Sequence, residues 1–133
     1  MIYTASMAAN DAALVEQWRD LQGRYLKMST ELDRRLTAEH QIGLSEFEVL
    51  DLIAEIDVPG GPCRMKDLGS ISPMTQSALS RIVDRLVKAG LVTRDFCAED
   101  RRALLVQLTD KGRALHAEAA KTHRRLLRDH QPA

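Results

Sequence analysis

Thr75, Gln76 and Ser77, followed one turn later by Ser80 and Arg81, form a run of small or hydrogen-bonding side chains opposite the apolar Leu79, Val83 and Leu86. On a helix this spacing gives one greasy face that packs on a domain and one polar face left for a ligand. The chemistry of such a face is recognition. Hydroxyl, amide and guanidinium groups pair with base edges and phosphates, and an α-helix fits the ~12 Å major groove of duplex DNA. A second cationic group, Arg101 and Arg102 behind Asp100, falls in a charged stretch between two apolar alternations.

Other chemistries find less support. The chain has no Gly-rich phosphate loop, no nucleophile elbow and no metal-ligand spacing, so an enzyme is the least expected class. His116, His123 and His130 recur every seven residues. Seven helical residues rise ~10.5 Å, too far for one ion with bonds near 2 Å, so neither a metal nor a cofactor is expected and the stripe reads as a half-exposed interface. Cys63 and Cys97 lack a CxxC arrangement and read as ordinary thiols, Cys97 being a candidate oxidant sensor beside Arg94 or Arg101.

Length and composition bound the frame that must hold these residues. A chain of 133 residues allows one domain with a real core, and 44% hydrophobic with 29% charged residues is ordinary globular composition. Only 4% are aromatic, which suits helix-on-helix packing better than a β-sandwich. No apolar run approaches the ~20 residues of a membrane span. Asn10 and Asp11 interrupt the N-terminus where an export signal would be apolar, so a cytoplasmic protein is expected. Basic and acidic residues balance at nineteen each, yet residues 1–63 hold five basic against eleven acidic, residues 64–102 eight against five, and residues 103–133 six against three. Because surface potential follows local charge within about a Debye length of ~8–10 Å, the last two segments can present a cationic face to phosphate.

The elements follow from periodicity. Leu14, Trp18, Leu21, Tyr25, Met28, Leu32 and Leu36 recur at steps of three and four, predicting a long amphipathic helix over 11–40 whose narrow seam packs along another helix. Ser45 and Glu48 suggest a capping box opening a second helix, which Val58-Pro59-Gly60-Gly61-Pro62 ends. A short helix is predicted over 65–71 despite Gly69, and a stronger one after Ser72-Pro73-Met74 that Gly90 closes in a Schellman ending with Leu91. Residues 91–95 and 104–108 read as a β-hairpin with a charged tip, and Thr109 caps a final helix over 109–130. The expected fold is a single domain, mostly α with a small β-hairpin wing (α+β). Within it, residues 45–108 form a winged helix-turn-helix lobe between N- and C-terminal dimerisation helices.

Arg64-Met65-Lys66-Asp67-Leu68, the run from Ser80 through Arg85 and Gly90 to Val92, Asp100-Arg101-Arg102 and Leu108-Thr109-Asp110-Lys111-Gly112-Arg113 together resemble the MarR family of bacterial transcription regulators, in order and spacing over residues 14 to 127. The resemblance implies a homodimer on a pseudo-palindromic double-stranded DNA operator. It makes Thr75 the N-cap of the recognition helix, Gln76, Ser77 and Ser80 base or phosphate contacts, and Arg81 a base reader. Arg101 becomes the wing arginine of the minor groove, with Asp100 and Arg102 bracing the tip and meeting phosphate, while Arg85 sits on the rim. Gly69 and Ser72-Pro73 depart from the family pattern at the motif's first helix and turn. With the chain ending at Ala133, dimerisation is expected to rest on Leu14, Trp18, Leu21 and Tyr25 with Leu115, Ala119, Thr122, Leu126 and Leu127. Trp18, Tyr25, Met28 and His40 are a candidate cleft for a small aromatic or phenolic effector, although helical spacing favours core or seam for them. The expected activity is repression released by such an effector. The rival is a winged-helix module that binds a protein through its hairpin and acidic N-terminal surface.

Overall fold

In the computed structural model, which describes residues 5–56, 63–96 and 104–130, the long seam folds as one helix, α1 (Ala5–His40). At 1.5 Å per residue its 36 residues extend about 54 Å. Only the C-terminal part, from Met28 onward, packs on the rest of the chain; residues 9–27 are exposed on every side.

Helix α2 (Leu44–Ile56) lies at the centre of the core, with Phe47, Val49, Leu50 and Ile53 fully buried. Its start differs from the expected Ser45–Glu48 box, because the helix begins at Leu44 and Ser45 already lies in its first turn. Two carboxylates satisfy the leading amides instead: Glu46 accepts from the Gly43 N–H at 3.2 Å, and Asp33 of α1 accepts from the Leu44 N–H at 2.9 Å. The cap therefore ties α1 to α2.

A two-residue strand that periodicity does not reveal, β1 (Cys63–Arg64), precedes α3 (Met65–Ile71) and α4 (Gln76–Lys88). Then come β2 (Val92–Phe96), β3 (Leu104–Leu108) and α5 (Asp110–Asp129). The hairpin expected from sequence is thus part of an antiparallel three-stranded sheet of order β1-β3-β2, with Cys63 opposite Val106 and Val92 opposite Leu108. Strand β3 buries Val106 and Leu108 and exposes Gln107, the alternation the pleat requires. No helix among the described residues is long and apolar enough to cross a membrane.

Helix α4 ends as predicted. Gly90 takes φ +77, the Leu91 N–H reaches Leu86 C=O at 3.0 Å and the Gly90 N–H reaches Val87 C=O at 3.0 Å, the two bonds of a Schellman motif. The start of α5 holds this corner. The Thr109 hydroxyl donates to Gly90 C=O at 2.6 Å, the Thr109 N–H to Leu91 C=O at 3.0 Å and Lys111 Nζ to Ala89 C=O at 3.0 Å. Thr109 also caps its own helix by accepting from the Gly112 N–H.

The inward face of α5 corrects two expectations. Ala119, Thr122 and Leu126 are buried against the chain's own α1 and α2, so they are core residues of the protomer and not available to a partner. Of the three histidines expected as a half-exposed interface stripe, His130 is exposed, whereas the half-buried pair faces the chain's own α2: His116 Nε2 donates to Asp51 of α2 at 2.7 Å and stacks over Phe47, and His123 packs 4.8 Å from the same ring. Arg124 donates to Asp51 at 2.9 Å and to His123 Nδ1 at 3.1 Å, and its guanidinium lies over Phe47.

This cluster sets a pH response. Burial, then the neighbouring Arg124 charge, holds His123 below the ordinary imidazole range, Asp51 opposing only in part. Burial pushes Asp51 up, but the hydrogen bonds from His116 and Arg124 outweigh it and leave the carboxyl below its usual range. A base with a depressed folded pKa binds its proton more readily in the unfolded chain. Its stabilisation is therefore complete above about pH 6.5 and is lost as pH falls toward the lower folded value. Thermal melts at pH 7.5 and 5.5 should show a drop in Tm for the wild type that shrinks in His123→Gln; an equal drop in both chains would refute the assignment.

Candidate nucleic-acid interface

Helix α4 is presented by its underside. Leu79, Ile82, Val83 and Leu86 are buried on the core, which turns the opposite stripe outward. Thr75 has extended backbone (φ −66, ψ 156) and its hydroxyl accepts from the Ala78 N–H at 3.2 Å, so it is the N-cap that the resemblance implied. Gln76, Ser77 and Arg81 are exposed, and Ser80 is half-buried at the edge of the stripe. The Arg81 Nε lies 3.4 Å from Ser77 C=O, which lays the guanidinium along the first turns of the helix. No acidic residue stands in the first turn, so the positive end of the helix dipole is uncompensated and favours an anion there.

Charge along the rest of this face is mixed. Arg85 is exposed and stands 3.7 Å from Glu46 of α2, a contact that sequence alone does not reveal. Lys88 is exposed. Asp84 pairs with Arg94 of β2, linking the helix to the root of the wing. Along the wing Thr93, Asp95 and Phe96 are exposed. Asp100, Arg101 and Arg102, together with Cys97, lie outside the described residues, and the side chain of Cys63 is likewise not described.

The other predicted sites divide. Leu14, Trp18, Leu21 and Tyr25 form an exposed apolar stripe on α1, Trp18 at 58% and Tyr25 at 71% exposure. Leu115 is half-buried against the core, and Leu127 is exposed. The four candidate cleft residues are not brought together within the chain. Met28 packs on the core, and His40 shares a 2.7 Å hydrogen bond with Thr122. Trp18 stands 22 residues, about 33 Å, up the same helix from His40. An open groove of about 390 Å³ between α1 and the end of α5 is lined instead by Gly23, Leu26, Lys27, Thr30, Glu31 and His130.

Comparison with known proteins agrees with this architecture. The MarR family model matches residues 40–103, from the end of α1 to just before β3. YkoM of Bacillus subtilis (strain 168), an uncharacterized HTH-type transcriptional regulator, is 29% identical over 89 residues; the match covers 67% of this chain and 55% of YkoM, so the chain spans about half of that relative's length. AbsC, a MarR family transcriptional regulator from Streptomyces coelicolor, superposes with a TM-score of 0.77 at 25% identity, over 98% of this chain and 81% of AbsC. Sco3205 from the same organism, a MarR family regulator solved in complex with DNA, gives a TM-score of 0.78 at 29% identity, over 97% of this chain and 75% of Sco3205. With the helix-turn-helix and the flanking long helices matched in both sequence and fold, the chain is similar to the MarR family of transcription regulators.

Proposed function

We propose that the chain is a sequence-specific double-stranded DNA-binding regulator acting as a homodimer, each α4 entering one of two successive major grooves of a pseudo-palindromic operator. In this reading Gln76, Ser77, Ser80 and Arg81 meet bases and nearby phosphates, and Thr75 fixes the first turn. Arg85 lies on a phosphate, Arg101 enters the minor groove, and Asp100 and Arg102 brace the wing tip. The observation that carries the reading is the orientation of α4: its apolar stripe is buried while Gln76, Ser77 and Arg81 are exposed among the described residues. The likeness to Sco3205, itself solved with DNA, supports it. The exposed Leu14, Trp18, Leu21 and Tyr25 supply the seam between two copies. Regulation is read as repression released by a small aromatic or phenolic effector, which rests on the family resemblance.

The test is fluorescence anisotropy with duplexes taken from the regions flanking the chain's own gene, over a salt series. A protein touching six to ten phosphates should lose about 10³- to 10⁵-fold in affinity between 50 and 200 mM salt. Half-sites should lie about 10 base pairs apart, and sedimentation should give the dimer mass. No duplex binding at low salt, together with a stable complex with another protein, would replace this reading by that of a protein-binding winged-helix module.

A further inference from the structure

Helix α4 carries a single acid, Asp84, and it stands in an unfavourable place for a DNA-facing helix. Counting at 100° per residue, Ser77, Arg81, Asp84 and Lys88 fall within about 60° of one another, so the carboxylate shares the outward stripe with the residues that would meet DNA. Left alone there it would repel phosphate. Arg94, two residues into β2, makes an ion pair with its Oδ1. That oxygen is cut off from water and has no hydrogen bond among the described residues, although the side chain as a whole is 46% exposed. The nearby guanidinium therefore compensates a desolvated charge. The pair is also a contact by which a side chain of the outward face of α4 reaches the wing, whose strands are held besides by the Gly90–Leu91 corner, the β1–β3 pairing and the buried Val92, Val106 and Leu108.

We propose that Asp84 and Arg94 are a positioning pair for DNA recognition: the ion pair sets the wing strand against the recognition helix, so that base contacts from α4 and groove contacts from the wing can be made at the same time. The proposal rests on α4 being the DNA-facing helix. Neither residue reads a base; both act through the placement of others.

The sign of the expected effect separates positioning from simple electrostatics. Asp84→Asn removes a negative charge from a surface that meets phosphate. On a scrambled duplex its affinity should equal or exceed that of the wild type. On the operator it should fall, lowering the operator-to-scrambled affinity ratio about tenfold, roughly threefold for each half-site. Arg94→Gln should lower the same ratio by a similar factor, and the Asp84→Asn/Arg94→Gln double variant should lower it no further, the non-additivity expected of two groups that act as one. Melting temperatures of Asp84→Asn and of the double variant should stay close to the wild type because both side chains are partly exposed, whereas Arg94→Gln, which leaves the desolvated Asp84 oxygen without its counter-charge, should melt lower. Operator preference unchanged or improved in Asp84→Asn, or losses that multiply in the double variant, would overturn the pair. A wild type without operator preference would instead overturn the reading of α4 on which the proposal stands, and the pair with it.

Discussion

Replacing Gly112 by alanine should destabilise the fold by about 3 kcal/mol, although Gly112 lies in the first turn of a regular helix where alanine is ordinarily the better residue by ~1 kcal/mol. A methyl group built at this position would lie 2.0 Å from the Leu91 carbonyl oxygen and 2.9 Å from its carbon. The obstacle is backbone, so no rotamer change can relieve it. Either the α4–β2 corner or the start of α5 must move, and the bonds joining them, Thr109 N–H to Leu91 C=O and Thr109 hydroxyl to Gly90 C=O, stretch or break. Overpacking costs ~1–3 kcal/mol and each lost hydrogen bond ~1 kcal/mol, which outweighs the helix-propensity gain. Gly69→Ala is the matched control. A methyl there meets nothing within 4 Å on an exposed turn of α3, so the same change should stabilise by up to ~1 kcal/mol. Urea unfolding of the two variants checks the opposite signs; a Gly112→Ala chain as stable as the wild type would mean that the helix and the wing root are not in contact.

The same corner shows which parts of the fold were legible in the sequence. Thr75, Thr109 and Gly90 act on residues within a few positions of themselves, and their hydroxyl caps and positive φ follow from residue type and place. The partner of Gly112 is Leu91, 21 residues earlier, and no local pattern announces it. Strand β1 escaped for the same reason: two residues cannot display a period of two, and their register is set by Leu105 and Val106 some forty positions on. At the start of α2 the sequence offered a plausible box at Ser45 and Glu48, but Asp33, eleven residues upstream on another helix, competes for the amides and shifts the cap.

For the candidate site the limit lies elsewhere. Helical spacing says which residues share a face but not what that face meets. Leu79, Val83 and Leu86 were legible as the buried side of α4 because polar residues fill the other side. On α5 the same reasoning grouped Leu115, Ala119, Thr122 and Leu126 correctly on one face and assigned that face to a second copy, whereas α1 and α2 of the same chain cover it. His116 likewise has its partner in Asp51, 65 residues earlier, so the interface expected of the half-exposed histidines is here the chain's own α2–α5 contact. Asp84 and Arg94 lie only ten residues apart, yet their pairing depends on the sharp turn at Gly90 folding β2 back along α4.

Arg81→Ala should be the most damaging single change to operator binding among the described residues of α4. Arg81 is exposed, lies at the sixth position of the helix, and is steadied by its contact with Ser77 C=O, which on the proposed reading leaves its guanidinium to meet a base edge. A base-reading arginine is worth ~1–3 kcal/mol of discrimination, and in a symmetric dimer the loss occurs twice, giving roughly 30- to 10⁴-fold weaker operator binding. Arg85 makes the comparison, being one turn further from the helix start and already near Glu46 at 3.7 Å. A phosphate contact of that kind predicts a smaller loss for Arg85→Ala, shared equally by operator and scrambled duplexes and lowering the salt slope by about one per contact. Both side chains are solvent-exposed, so melting temperatures should hardly change and misfolding would not account for a binding defect. Equal losses on operator and scrambled DNA for Arg81→Ala would reassign it to the phosphates, and undiminished operator affinity would remove it from the interface.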